Sequence, residues 1–124
     1  MIRVALAQLD LPVGDIDGNA ARLEEVIEQI EDSGAQIVAF PELAITGYPP
    51  EDLVLKGSFI TANLRAMERV AAASRDALVV FGFVEPAGDR LYNSAAVCRG
   101  GEILAVYRKH LLPNYGVFDE QRYF

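Results

Sequence analysis

The sequence has one cysteine, one histidine and no tryptophan among its 124 residues. A lone cysteine excludes an internal disulfide framework and a four-cysteine metal site. Positive charge is also in short supply: 11 Lys and Arg stand against 18 Asp and Glu, a formal net charge of −7. A nucleic-acid surface needs a cationic stripe, and the few basic residues here are scattered, so nucleic acid is excluded as a partner. Long apolar runs are missing too. Residues 2–9 are interrupted by Gln8 and fall short of a signal-peptide core, while residues 77–84 are far too few to cross a bilayer. These absences predict a soluble, cytoplasmic protein with no membrane partner. Gly82, Gly88, Gly100, Gly101 and Gly116 fit neither phosphate-loop pattern. No His/Asp/Glu cluster has metal-ligand spacing. No cofactor or metal is therefore expected in this segment.

Apolar residues, by contrast, are plentiful. They make up 52% of the chain, and the mean hydropathy is +0.18. That supplies a core for one small domain and argues against disorder. Residues 2–9 read as a buried strand. Asp17 or Asn19 is expected to cap a helix running to about Ser33, with Leu23, Val26, Ile27 and Ile30 as its apolar stripe. Its glutamates read as a solvated face, and Gly34 as the residue that ends it. Residues 36–40 read as a second strand. Strand, helix and strand in that order predict a βαβ-like layer. An irregular stretch, 41–57, carries prolines at 41, 49 and 50. A loop that long between packed elements usually has a function. A second helix is expected over 58–74, with Leu64, Met67, Val70 and Ala71 inward. Strands follow at 77–85, 91–99 and 102–108, the last two joined by a two-residue hairpin turn at Gly100-Gly101. The tail, 109–124, has no clear period.

Two side chains stand where chemistry gathers. Glu42 follows an apolar strand directly, and strand C-terminal ends in α/β sheets collect catalytic groups. A carboxylate between apolar walls suits a general base. Lys109 ends a strand and could stabilise an oxyanion. By position alone, each reads equally as a surface charge. Cys98 sits where a small apolar residue fits a strand, and free cysteine is often buried and inert. His110 has nothing nearby in the sequence that pairs it with Cys98.

The string Phe40-Pro41-Glu42-Leu43, then Thr46-Gly47-Tyr48-Pro49-Pro50-Glu51-Asp52-Leu53, resembles the glutamate motif of the carbon–nitrogen hydrolase (nitrilase) superfamily. Tyr107-Arg108-Lys109-His110-Leu111-Leu112-Pro113 resembles its lysine motif. Val4-Ala5-Leu6-Ala7-Gln8 and Asn93-Ser94-Ala95 are similar as well, and the order is that of the family. The stretch from Leu112 to Phe124, with the Gly47–Leu53 string, resembles the glutaminase domain of glutamine-dependent NAD synthetases.

The resemblance implies an α/β fold, part of an αββα sandwich, with residues 1–124 forming the N-terminal part of a glutaminase domain. It implies a Glu-Lys-Cys triad in which Glu42 is the general base and Lys109 the oxyanion-stabilising lysine. Tyr115 and Tyr48 are implied as substrate-binding residues, with glutamine as substrate and a homo-oligomer as the assembly. Glu120 matches an extra family glutamate, but adjacent Asp119 leaves that assignment open, so Glu120 stays outside the implied catalytic set. No cysteine follows Lys109, so the segment by itself is expected to be inactive. ATP and Mg are implied only for a synthetase domain outside it. The alternatives are a stand-alone amidase of the superfamily, or a non-catalytic fragment or interaction module.

Overall fold

A computed structural model describes residues 1–116 and 118–124. Five strands form one mixed sheet in sequence order: β1 (Val4–Leu6), β2 (Ile37–Ala39), β3 (Leu78–Ala87), β4 (Arg90–Arg99) and β5 (Glu102–Arg108). β1, β2 and β3 are parallel, while β4 and β5 continue the sheet antiparallel. Helices α1 (Ile16–Gln29) and α2 (Gly57–Ala73) make the two parallel crossovers, as parallel neighbours require.

Both helices cover the same face. Ala20, Leu23, Val26 and Ile27 of α1 and Ala66, Met67, Val70 and Ala71 of α2 share one core with Val38, Val79, Phe81, Phe83, Ala96 and Cys98. The strand residues in that set alternate, and cross-strand partners such as Phe81/Ala96 and Val79/Cys98 fall together, because paired residues project to one side. The opposite face carries Val80, Gly82, Ala95, Val97 and Tyr107, and no helix covers it.

Several local expectations need correction. β1 spans three residues rather than eight, since its only partner, β2, is itself three residues long. The cap of α1 is Asp15, whose carboxylate accepts from the Gly18 amide at 3.1 Å. Asn19 is instead buried, and its amide donates to the Pro12 and Ile45 carbonyls at 2.9 and 3.1 Å. The α-helix ends at Gln29 and a 3-10 turn, Glu31–Ser33, precedes Gly34. The long loop holds a 3-10 turn, Glu51–Leu55, and the tail another, Glu120–Arg122.

Asn63, on the core face of α2, is fully buried and satisfied. It donates to the Val84 carbonyl at 2.6 Å and accepts from the Val84 amide at 3.1 Å. β2 has ended by that level, so the side chain takes the place of a strand neighbour. The β4–β5 turn has positive φ at both Gly100 and Gly101, 63° and 81°, which matches the right-handed twist of the ladder. Two pairs beyond the turn the register slips by one residue, between Val97 and Cys98 on β4.

Candidate functional site

The uncovered face becomes polar at the C-terminal end of β2. There Pro41–Leu43 turns across the sheet directly over Gly82. A Cβ at position 82 would lie 2.1 Å from the Leu43 amide nitrogen and 2.9 Å from the Glu42 carbonyl carbon. Only glycine allows that approach. Leu43 adopts φ 47° while fully buried, a left-handed conformation that costs a non-glycine residue on the order of 1 kcal/mol. The bonds from the Ile45 amide to the Gly82 carbonyl (3.2 Å) and from the Gly47 amide to the Leu43 carbonyl (2.9 Å) hold the turn. Local strain kept by surrounding structure is common where a side chain must be aimed.

The side chain aimed here is Glu42. Lys109 reaches it from the end of β5, with Nζ donating to Glu42 Oε1 at 2.6 Å. Glu120 arrives from the tail, and the same Nζ lies 3.1 and 3.2 Å from its two oxygens. Asn93 of β4 donates through Nδ2 to Glu42 Oε1 at 2.6 Å and to Glu120 Oε1 at 3.1 Å. Tyr48 closes the group, its hydroxyl donating to Glu120 Oε2 at 2.8 Å.

Exposure separates the two carboxylates. The Glu120 side chain is 5% exposed and that of Glu42 44%. Glu120 thus sits fully bonded inside, while Glu42 meets open space. Burial pulls the Lys109 ammonium down, but its hydrogen bonds to Glu42 and Glu120 outweigh that and hold its pKa above the usual 10.5. It is a cation across the neutral range. Burial, then the bond and charge of Glu120, push the Tyr48 phenol far above its ordinary value of 10.0, so it acts as a donor. Beside the pair lies a cavity of about 250 Å³, lined among others by Glu42, Val80, Asn93, Tyr107 and Lys109.

By position Glu42 and Lys109 are separate candidates, the resemblance joins them in one triad, and they meet in the fold. Tyr48 joins them through Glu120. Tyr115 does not: it is 70% exposed, with its ring edge-on to Phe118 at 5.5 Å. Phe118, whose amide also donates to the Tyr115 carbonyl at 2.9 Å, lies 6.2 Å from the Tyr48 ring, so Tyr115 connects to the cluster only through Phe118 among the described residues. Val117, part of the same tail motif, lies outside the described residues. Cys98 is fully buried on the helix-covered face, and burial pushes its thiol up to about 11. It cannot reach Glu42 through the sheet. His110 is exposed beside Tyr107, so Cys98 and His110 form no pair. Among the described residues no His/Cys/Asp/Glu group could hold a metal ion, and no helix is long and apolar enough to cross a membrane.

In the sequence Asn93 is only part of a string similar to the family, and Glu120 stays outside the implied catalytic set. The signal for Asn93 was its place in that string, at the start of the small-residue run Ser94-Ala95-Ala96. Glu120 carried no local signal.

The Carbon-nitrogen hydrolase pattern matches residues 3–124. This chain belongs to the carbon–nitrogen hydrolase family. Its relatives include the glutamine-dependent NAD(+) synthetases of Xylella fastidiosa (strain Temecula1) and Thermotoga maritima. They are 49% and 48% identical over 99% of this chain, which covers 23% and 22% of their lengths. Among solved structures, the glutamine-dependent NAD+ synthetase of Acinetobacter baumannii superposes with a TM-score of 0.93 at 44% identity, over 99% of this chain and 23% of that one. A mutant of the nitrilase-superfamily amidase from Nesterenkonia AN1 gives 0.85 at 28% identity, over 99% of this chain and 47% of that one. The mixed sheet with two helices on one face is therefore the carbon–nitrogen hydrolase fold. The chain spans just under a quarter of the length of the NAD synthetases it matches.

Proposed function

We propose that residues 1–124 provide the acid–base half of a glutamine-hydrolysing site in a glutamine-dependent NAD synthetase. The observation that carries this is the convergence of Glu42 and Lys109, at 2.6 Å, on the uncovered sheet face. A neutral thiol is a poor nucleophile and an amide a poor electrophile. Glu42 takes the thiol proton as sulfur attacks the glutamine side-chain carbonyl. Lys109, held cationic, stabilises the oxyanion. Glu42 passes its proton to departing ammonia, then takes one from the water that cleaves the thioester and releases glutamate. The thiol is not Cys98 and comes from outside these 124 residues. Tyr48 and Tyr115 border the glutamine site, with flat apolar rings and polar tips. The ammonia serves ATP- and Mg-dependent amidation of nicotinic acid adenine dinucleotide, a step that none of these residues performs. Similarity near 50% to enzymes named as glutamine-dependent supports glutamine as substrate.

The test uses the native polypeptide that carries this segment. Glu42→Gln should lower glutamine hydrolysis by about 10³-fold, within the range for losing a general base, and spare synthesis from free ammonia. Loss of both in a folded protein would overturn the role of Glu42. The likeness to the Nesterenkonia amidase favours a second reading, a plain amidase. A higher kcat/KM for simple aliphatic amides than for glutamine would select it.

A further inference from the structure

We propose that Asn93 is a positioning residue that fixes how the two carboxylates of this site sit and leaves one oxygen of Glu42 free as the base. It rests on the proposed function above. Three charges meet here: Glu42, Glu120 and Lys109. Two are negative, and one lysine must serve both. Asn93 adds donors without adding charge. Its carboxamide has one face that donates and one that accepts, and only the NH₂ group can face two carboxylates. Its two hydrogens have two acceptors, Glu42 Oε1 at 2.6 Å and Glu120 Oε1 at 3.1 Å.

The consequence lies in which oxygens are left. Glu42 Oε1 accepts from both Lys109 and Asn93, while Oε2 has no hydrogen-bond partner among the described residues. Glu120 is occupied at both oxygens: Lys109 and Asn93 on Oε1, Lys109 and Tyr48 on Oε2. A buried carboxylate held by three donor groups through both oxygens is a fixed counter-ion. A half-exposed one with a single unengaged oxygen is a base. Burial and Tyr48 make Glu120 the counter-ion, while Asn93, giving one hydrogen to each carboxylate, holds Glu42 by Oε1 and so keeps Oε2 as the open basic oxygen.

The backbone of Asn93 adds to this. Its carbonyl accepts from the Lys109 amide at 2.8 Å, so one residue sets the main chain of the lysine and the side chain of the base. It is itself 4% exposed and held in the β3–β4 ladder opposite Val84.

In the native polypeptide, Asn93→Ala should lower kcat for glutamine hydrolysis on the order of 10²-fold, the scale of a misaimed reacting group, with little change in KM. The acid limb of the kcat/KM–pH profile should move to higher pH, since an anion that loses a donor is protonated more readily. Asn93→Ser keeps one short donor and should lie between wild type and Asn93→Ala. Asn93→Asp swaps donor for acceptor at equal size and should move the limb furthest. Should Asn93→Ala fail to fold, the serine and aspartate variants carry the same comparison. An acid limb that stays in place in folded variants, with losses that only follow a lower Tm, would overturn the positioning role. Glu42→Gln separates the two claims. An active Glu42→Gln enzyme defeats the proposed function. An inactive one beside an unmoved limb in the Asn93 variants defeats the role of Asn93 alone.

Discussion

The two faces of the sheet are built to different rules. The helix-covered face is apolar at nearly every inward position, from Val79 and Phe81 to Ala96 and Cys98, all fully buried. Asn63, an amide buried there, spends both bonding groups on the backbone of Val84. The other face holds two carboxylates, an ammonium, an amide and a phenol within one hydrogen-bonded group, half of it open to solvent. Side chains of adjacent residues on β3 and β4 therefore serve separate ends. Stability comes from the covered face. The open face keeps like charges close, which is destabilising unless they are bonded, and gains reactive groups from it.

The sharpest way to break that division is to change neighbours. Phe81→Ala, on the covered face, should cost about 3–5 kcal/mol, the usual range for a buried phenylalanine, read from denaturant unfolding. Gly82→Ala, one residue on and facing the other way, should cost about 1–3 kcal/mol, as overpacking does. Its effect on glutamine turnover should be out of proportion, because the added methyl group displaces the backbone of Glu42 and Leu43. Equal loss of turnover per unit of stability in both variants would mean the faces are not separable.

A gentler probe is alkaline pH. The folded pKa of Lys109 lies above 10.5. A raised value means that its contribution to stability is complete below 10.5 and fades as pH climbs through the folded value. The stability gap between wild type and Lys109→Met should hold constant from neutral pH to that point and then shrink. A gap that stays constant as pH climbs well past that point would mean that Glu42 and Glu120 do not hold Lys109 as a cation. The smallest effect is expected at Cys98. Cys98→Ala should cost about 1 kcal/mol, typical of a small core change, and leave turnover unchanged. With its thiol pushed up to about 11, Cys98 itself should resist alkylation in the native fold at neutral pH and react once unfolded.

Much of this division was legible in the sequence. Strands and helices followed from apolar period, and the hairpin from Gly100-Gly101. Glu42 and Lys109 were candidates at strand ends, but position alone left each a surface charge, and the resemblance to the family gave them roles. What was hidden depended on distance along the chain. Glu120 gains its place from a bond to Tyr48, 72 residues away, and Tyr123 in the same tail from one to Asp52, 71 away. No local pattern encodes such a pairing. The cap of α1 was misread for a related reason. Asp15, Asp17 and Asn19 are all good capping residues, and only the pull of Pro12 and Ile45 on Asn19 takes it into the core.

The register slip in the β4–β5 ladder has a further meaning. From the turn outward, Arg99 pairs with Glu102 and Cys98 with Ile103; then Val97 pairs with Ala105, passing over Leu104. Side chains along a strand alternate, so one supernumerary residue reverses the parity of everything beyond it. Lys109 follows Arg108, which pairs with Ser94, and so comes to lie against Asn93 on the open face. In an unbroken ladder it would stand opposite Tyr92, on the side where Glu85 already holds Arg108. The lysine of the site owes its side of the sheet to an odd number: with Leu104 left out of the pairing it meets Glu42 and Glu120, and with Leu104 taken into the ladder it would face Glu85 instead.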